Sequence, residues 1–459
     1  MREERIIVMG GGVGGYPAAM RAARLGADVT LIEKETIGGV CLNRGCIPTK
    51  VYLNATSILN EIKRASLFGV EAERVRIDLD SLLARKKAVV KRLTDGVVHL
   101  LRSRKVKIVK GTGTFIDAES IKILETGEIL SGSKFILATG SIPIRISIPG
   151  SEGIPLLTSD DLLEMKSFPL SLLIIGGGYI GVELGQFFNR MGVKVSIVEV
   201  MDRIISTEDE EISAGLRKFL TSEGIDIFTK AKVEKIEKDG IEKRVVFSTP
   251  DGQKEIKASE VAQIVGRKPL TSEIGLEKIG MRVDSGRIVV NERMETTVPH
   301  FYAAGDVTGG IMLAHVAMAE GDCAARTAMG HHSPISYLAV PRCIYTSPEV
   351  ASVGLTEREA RERGDVRIGR FPFHGLGKAS LMEELEGMIK IVAGEKYGEI
   401  LGVHIIGPHA TELIAEAVLA IEMEVTAEEL AHIIHPHPTL SEGMGEAAMM
   451  LVGGALHLP

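Results

Sequence analysis

Cys41 and Cys46 stand in "GGVCLNRGCIPTK", residues 38–50, and are two of only four cysteines in 459 residues. Sulfurs at that spacing support three chemistries: a metal site, a structural cross-link or a redox couple. Structural zinc takes closely spaced cysteines with a second ligand pair nearby. Here Cys323 and Cys343 are isolated and His435 and His437 lie far along the chain, so no metal is expected. A disulfide closing so short a loop adds little stability, because loop-closure entropy grows with length. A redox pair fits better. The "IPTK" after Cys46 reads as a helix start, and a thiolate near a helix N-terminus has a lowered pKa. Lys50, four residues beyond Cys46, falls on the same helical face and would bring positive charge to the thiolate; the plainer reading is a solvated lysine.

The C-terminal "HPHPTLSE" carries an acid–base set, His435, His437 and Glu442. An imidazole titrating near pKa 6.5 can hold the proton that a thiol loses as it attacks a disulfide. Glu442, five positions after His437, is spaced to orient such a ring. Chemistry alone does not choose between the two histidines, and a lone loop histidine is more often a surface residue.

The elements that must position these groups begin with a repeated phrase. "RIIVMG", "GGVGG", "YPAAMRAARLG" and "DVTLIEK" read as strand, turn, helix and strand, and the pattern returns in "SLLIIGGGYIGVELGQFFNRMGVKVSIVEV" at 171–199. Such an internal repeat of a βαβ unit implies two nucleotide-binding regions. Each carries G-x-G-x-x-G between strand and helix: Gly10, Gly12 and Gly15, then Gly176, Gly178 and Gly181. The first glycine permits the tight turn, the second lets backbone N–H groups approach a pyrophosphate, and the third lets helix and strand pack closely. The pyrophosphate then lies on the positive end of the helix dipole. Glu33 and Glu199 close the second strand of each unit at the same step, 23 positions after the first glycine. A carboxylate there accepts from a ribose 2′-OH and repels a 2′-phosphate, so the second site is expected to prefer NAD over NADP. The cysteine pair follows Glu33 almost at once. A nicotinamide is a poor partner for a dithiol, whereas a flavin takes thiolate electrons on one face and exchanges hydride on the other. FAD is therefore expected at the first site and NAD at the second.

Past the second unit, "VEKIEKDGIEKRVVFSTPDGQKEIKASEVAQIVGRKP" holds strand pairs joined by Asp-Gly turns. "HFYAAGD" reads as a further strand leading into the helical "LAHVAMAEGDCAARTAM". A third region follows with strand-like "GMIKIVA" and "EILGVHIIG" and a helix in "ATELIAEAVLAIEME". The fold class is α/β: two Rossmann-like dinucleotide-binding domains plus a C-terminal α+β dimerisation domain. The expected divisions are 1–147 (FAD, first part), 148–269 (NAD), 270–335 (FAD and central region, second part) and 336–459 (interface).

Composition sets outer bounds. The hydrophobic fraction is 45%, charged residues are 25%, Trp is absent and net charge is −7, which gives no general attraction for nucleic acid. The basic run "ARKKAVVKRLTDGVVHLLRSRKVKIVK" has apolar residues at helical spacing, so its basic residues read as a solvated helix face. No eighteen-residue apolar run occurs and the N-terminus lacks a cleavage pattern, so neither membrane span nor signal peptide is expected. Four cysteines in so long a chain fit a reducing compartment, the cytoplasm.

Taken in order, "GGGVGGYPAAMRAARLGA", "GGVCLNRGCIPTK", "LATGS", "GGGYIGVELG", "VGRKP", "YAAGDVTGGIMLAHVAMAEG", "YTSPEVASVGLTE" and "HPHPTLSE" make nearly the whole chain resemble the flavoprotein disulfide reductases. "MLAH" and "HPTLSE" point to their lipoamide-linked branch. The resemblance implies that Cys46 faces the flavin, that Cys41 meets the substrate, and that His437 with Glu442 is the acid–base pair, reaching the disulfide of the other subunit of a homodimer. It implies oxidation of dihydrolipoyl groups on a partner protein of a 2-oxo-acid dehydrogenase or glycine-cleavage system. For FAD it implies Gly10, Gly12, Gly15, Glu33, Lys34, Gly39, Cys41 and Lys50; Gly113 near the adenine; Thr139, Gly140 and Ser141; and Asp306 with Met312, Leu313, Ala314 and His315. For NAD it implies Gly176, Gly178, Tyr179, Ile180, Gly181, Glu183, Glu199, Val233 and Gly266, with Glu183 and Lys50 beside the isoalloxazine. Five positions depart from the family pattern: Pro436 between the histidines, Leu376 and Lys378 in "FPFHGLGKAS", Gly445, expected to interrupt the last helix, and Gln263 at a strand position usually apolar. Pro436, Leu376 and Lys378 would bear on the substrate mouth or the dimer contact.

Overall fold

The computed structural model describes residues 4–332 and 334–458. Its first sheet is parallel and five-stranded, in the order Phe301–Ala303, Lys134–Leu137, Arg5–Met9, Asp28–Glu33, Lys107–Lys110. Arg5–Met9 reads "RIIVM" and is buried at every position but the first, as expected for a central parallel strand covered on both faces. The strand Phe301–Ala303, far along the chain, completes this sheet, so the chain leaves the first unit and returns to it. Helix Gly15–Arg24 covers one face through Ala18, Ala19 and Ala22, all buried. These small residues admit close packing of helix Ala314–Ala328, whose Gly321 lies so near Gly14 that an added Cβ would come within 2.1 Å of the Gly14 carbonyl.

The repeated unit builds a second parallel sheet in the order Asp226–Phe228, Lys194–Val198, Ser171–Ile175, Glu260–Gln263. The Asp-Gly segments form a three-stranded antiparallel sheet, Lys232–Asp239, Glu242–Thr249 and Gly252–Ala258. The C-terminal region is α+β: five antiparallel strands in the order Arg342–Ile344, Glu349–Gly354, Ile400–Gly407, Met388–Gly394, Val366–Pro372, packed by helices Ala410–Glu422 and Glu442–Val452. The expected fold class is the observed one.

Several local readings change. The basic run forms helix Leu79–Ser103, but not all of its charge is solvated. Lys86 is 2% exposed and donates to the Leu163 carbonyl and to Glu164 Oε1, each at 2.6 Å. Gly445 does not interrupt the last helix, which runs on to Val452; an added Cβ there would come within 3.1 Å of the His435 ring, so the missing side chain makes room for that histidine. Leu376 is buried in the C-terminal core, in one cluster with Phe371 and Ile389. Buried Gln263 replaces strand-to-strand packing with two hydrogen bonds to Ile146, accepting from its N–H at 2.8 Å and donating to its carbonyl at 3.0 Å.

Candidate active site

Each glycine loop has two positions that only glycine can fill. A Cβ on Gly10 would fall 2.1 Å from the Ala138 carbonyl oxygen, and one on Gly15 would fall 1.8 Å from that of Gly10. Gly176 and Gly181 repeat the geometry against Ile264 and Gly176, at 2.2 and 2.1 Å. By contrast a Cβ on Gly178 would meet nothing, so the space above the second loop is open, as a pyrophosphate resting on backbone N–H groups requires. Above the first loop, Gly39 crosses so closely that its Cβ would lie 2.6 Å from the Gly12 Cα. This contact brings the helix Gly39–Arg44, with Cys41, onto the first dinucleotide loop.

Glu33 and Glu199 are held in matching ways. Glu33 accepts from Gly11 N–H and Glu35 N–H, both at 2.7 Å; Glu199 accepts from Gly177 N–H at 2.6 Å and Met201 N–H at 2.8 Å. Each carboxylate thus fixes its own loop, and with about four lone-pair sites it retains room for a ribose hydroxyl.

Cys46 is the first residue of helix Cys46–Arg64, as "IPTK" suggested. Cys41 and Cys46 are free thiols that share a hydrogen bond and titrate as a pair. Donation from Cys41 is the largest influence on Cys46 and, with Lys50 and against burial, brings its thiol down to about 7. The same bond and burial push the Cys41 thiol up. The pair therefore ionises at Cys46. Lys50 is no solvated lysine: its ammonium is bound to both oxygens of Glu183, at 2.7 and 2.9 Å, and Glu183 is only 4% exposed. Glu183 comes from helix Tyr179–Arg190 of the second unit, so this ion pair ties the cysteine helix to the second dinucleotide region.

Other predicted residues make contacts of their own. Ser141 donates to Asp306 and accepts from Arg267 Nε at 2.8 Å; Thr139 donates to the Leu270 carbonyl at 2.6 Å, and Gly140 accepts from Leu270 N–H at 2.9 Å. Leu313 precedes helix Ala314–Ala328, half-buried Met312 stands just before it, and His315 Nε2 lies 2.9 Å from the Pro341 carbonyl. Tyr179 hydrogen-bonds Glu208 and Thr207, while Ile180 is half-buried beside it. Gly266 has φ +114° and accepts from Ile144 N–H. Three predicted residues stand apart from these contacts: Lys34 is exposed, Gly113 packs toward Met9 and Ile32, and Val233 sits on the apolar cluster of Ile148, Leu173 and Phe247.

The two histidines separate cleanly. His437 Nδ1 lies 2.8 Å from Glu442 Oε1, and Glu442 Oε2 accepts from Thr439 N–H at 2.8 Å. Burial opposes its charge, but the Thr439 amide and His437 outweigh it and hold the Glu442 carboxyl low. His435 instead pairs with Glu416 at 2.8 Å, which raises its pKa. The His437 side chain is 76% exposed, and no hydrogen bond or ion pair joins it to either cysteine among the described residues.

Two residues in the contact network escaped the sequence reading. Arg267 grips Ser141 through both side chain and carbonyl, and Tyr345 lies over Lys50 while its N–H donates to Glu183 at 2.9 Å. Both stand in matched segments, "VGRKP" and "YTSPE", but no spacing links either to the residues it touches.

Comparison with known proteins covers the whole chain. The family model described as pyridine nucleotide-disulphide oxidoreductase matches residues 4–321, and that family's dimerisation domain matches residues 340–448. A dihydrolipoyl dehydrogenase of Bacillus subtilis (strain 168) is 41% identical, with 98% of this chain and 99% of the relative covered. One of Thermus scotoductus is 44% identical, with 100% and 99% covered. Among solved structures, LpdA from Mycobacterium tuberculosis superposes with a TM-score of 0.89 at 28% identity, covering 98% of this chain and 99% of that one.

Proposed function

Because the chain belongs to the pyridine nucleotide-disulphide oxidoreductase family, we propose that it oxidises dihydrolipoyl groups of a partner protein to lipoyl groups and passes the electron pair through FAD to NAD⁺. The observation that carries this reading is full-length similarity, at 38–44% identity, to relatives named dihydrolipoyl dehydrogenase. The paired thiols, the Lys50–Glu183 ion pair and the His437–Glu442 pair support it. FAD supplies a two-electron acceptor for a thiolate on one face and a hydride donor to NAD⁺ on the other.

The residues then divide the work. In the resting enzyme Cys41 and Cys46 form the disulfide. A substrate thiol gives its proton to His437 and its sulfur attacks Cys41, which releases Cys46 as a thiolate. The second substrate thiol displaces Cys41 from the mixed disulfide, its proton passes to the departing Cys41 sulfur, and the lipoyl ring closes. The enzyme then holds the electron pair as a Cys41 thiol and a Cys46 thiolate, with the first proton on His437. Cys46 is the better leaving group because Lys50 and the helix start favour its anion, and the Cys41 thiol adds its hydrogen bond once the substrate has left. Glu442 keeps the His437 ring oriented. The sheets support residues 1–147 with 270–335 as the FAD region, 148–269 as the NAD region and 336–459 as the interface region of a homodimer. Among the described residues no helix is long and apolar enough to cross a membrane. We place the protein in the cytoplasm, a reducing compartment in which a disulfide is catalytic rather than structural.

Steady-state turnover tests the reading. Dihydrolipoamide with NAD⁺ is expected to be the efficient pair. NADPH-dependent reduction of glutathione disulfide, without lipoamide turnover, would refute it.

A further inference from the structure

The Lys50 ammonium has a second partner besides Glu183. Its Nζ lies 4.4 Å from the centre of the Tyr345 ring, within cation–π range. Tyr345 directly follows the strand Arg342–Ile344 of the C-terminal region, and its own N–H donates to Glu183 Oε1 at 2.9 Å. One residue therefore touches both members of the ion pair, the cation through its ring and the anion through its backbone.

The placement is enforced from both sides. On helix Tyr179–Arg190, Glu183, Gln186 and Arg190 recur at helical spacing and face the segment after the strand. Gln186 exchanges two hydrogen bonds with Ser347, at 2.7 and 2.8 Å, and Arg190 donates to the Ser347 carbonyl at 3.0 Å. Gln186 is 1% exposed, so this register is anchored in the core. Two residues before Ser347, Tyr345 is thereby set against Lys50. Burial pushes the Tyr345 hydroxyl up to about 12, so the ring presents a neutral phenol to the ammonium at working pH.

We propose that Tyr345 is a positioning residue for the thiol chemistry: its ring holds the Lys50 ammonium toward Cys46 and so sustains the thiolate there. The role rests on the proposed function, because it acts on the dithiol assigned above. Cys41, Lys50, Glu183, Arg267 and Tyr345 itself act on Cys46, and changing the Tyr345 side chain replaces none of the other four; it alters only what holds Lys50. The bond to Glu183 is kept, because it comes from the backbone. Tyr345→Leu therefore removes the ring alone, and Tyr345→Phe keeps it.

The test is a pH titration of the thiolate–flavin charge-transfer absorbance in the two-electron-reduced holoenzyme, run on wild type, Tyr345→Phe, Tyr345→Leu and Lys50→Gln. An exposed cation–π contact corresponds to about half a pKa unit, roughly a threefold change in the ratio of thiolate to thiol. Tyr345→Leu is expected to raise the midpoint by that amount. Tyr345→Phe is expected to leave it in place, and Lys50→Gln to raise it further. Dihydrolipoamide turnover by Tyr345→Leu should fall mainly below neutral pH, where the thiolate is scarcer. An unchanged midpoint in Tyr345→Leu, even with a lowered melting temperature, overturns the proposal by leaving the ring a purely structural part. An equal shift in the Phe and Leu variants overturns it too, by assigning the effect to the hydroxyl. Absence of the band in the unsubstituted protein would overturn both this role and the reading of the site on which it rests.

Discussion

The hydrogen bond between the two thiols makes the sharpest demand on the site. Cys46 is brought from the ordinary thiol value of 9.0 to about 7, with Cys41 the largest cause, burial opposing and Lys50 assisting. At 1.36 kcal/mol per unit this drop favours the thiolate by about 3 kcal/mol. A hydrogen bond to a charged group supplies about 1.5–3 kcal/mol, so the Cys41 donor accounts for most of it. Cys41→Ala removes that donor and leaves burial and Glu183 opposed by Lys50 and the backbone amide at the helix start, so the Cys46 midpoint should climb by about one to two units. Cys41→Ser keeps an O–H donor at the same place, and its midpoint should stay near 7. The sign follows from an acid whose pKa is lowered: the thiolate is present above the midpoint and lost as pH falls through it. Neither variant can form the disulfide, so Cys46 stands as a lone thiol beside oxidised flavin. Its charge-transfer absorbance, followed from acid to alkaline pH, reports the midpoint directly. Equal midpoints in the Ala and Ser variants would refute the reasoning, because the Cys41 donor would then contribute nothing. Lipoamide turnover should be abolished in both, while NADH oxidation by quinone-type acceptors persists.

Three other outcomes follow from contacts already described. Glu442→Gln removes the charge that holds His437, and dihydrolipoamide turnover should fall by about 10²–10⁴ at pH 7 with quinone reduction retained, measured by steady-state kinetics. Glu199→Ala releases the Gly177 and Met201 amides, so KM for NAD⁺ should rise by about tenfold or more and preference over NADP⁺ should narrow. Lys390 and Asp209, 2% and 3% exposed at their side chains, pair at 2.8 Å between the second unit and the C-terminal sheet. Lys390→Met strands a buried carboxylate and should cost about 3–5 kcal/mol in denaturant unfolding, part of it recovered by adding Asp209→Asn. Burial resists the Asp209 charge, but Lys390 and its neighbours hold the carboxyl low. Stability from this pair is thus present above the ordinary carboxylate range and lost as pH falls through the folded value.

The sequence made legible what depends on local spacing. The two glycine motifs with Glu33 and Glu199 located both loops, because a turn, a strand end and a helix start are consecutive in the chain. Cys46 was legible as a helix start for the same reason. The choice between His435 and His437 was not, because it depends on which carboxylate each ring meets: Glu416 lies on a different helix, while Glu442 opens the last one. Lys86 looked like one of many basic residues, and only the approach of Leu163 and Glu164 across the fold separates it from solvated Lys87 and Lys91. Gly445 read as a helix breaker by propensity, but packing overrides a cost of about 1 kcal/mol when a ring needs the space. Tyr345 was invisible for the most basic reason: its partners lie 295 and 162 positions away, and no periodicity spans such distances.

The exposure of His437 gives the last test. An imidazole that is 76% exposed and unlinked to either cysteine within its own chain must receive a disulfide from elsewhere if it is the base. The dimerisation domain of the family, matched over residues 340–448, contains it. In a twofold dimer each active site would then combine one subunit's Cys41 and Cys46 with the other's His437 and Glu442. Two separately inactive variants make the arrangement visible. In a mixed dimer of Cys41→Ser and His437→Gln subunits, one site carries both defects and the other carries neither. Random reassociation of equal amounts gives mixed dimers as about half of the population, each with one intact site, so about a quarter of wild-type lipoamide turnover should return. Were cysteines and histidine to act within one chain, every site would keep a defect and no activity would return. Recovery that appears only after dissociation and reassociation therefore separates a shared site from a private one.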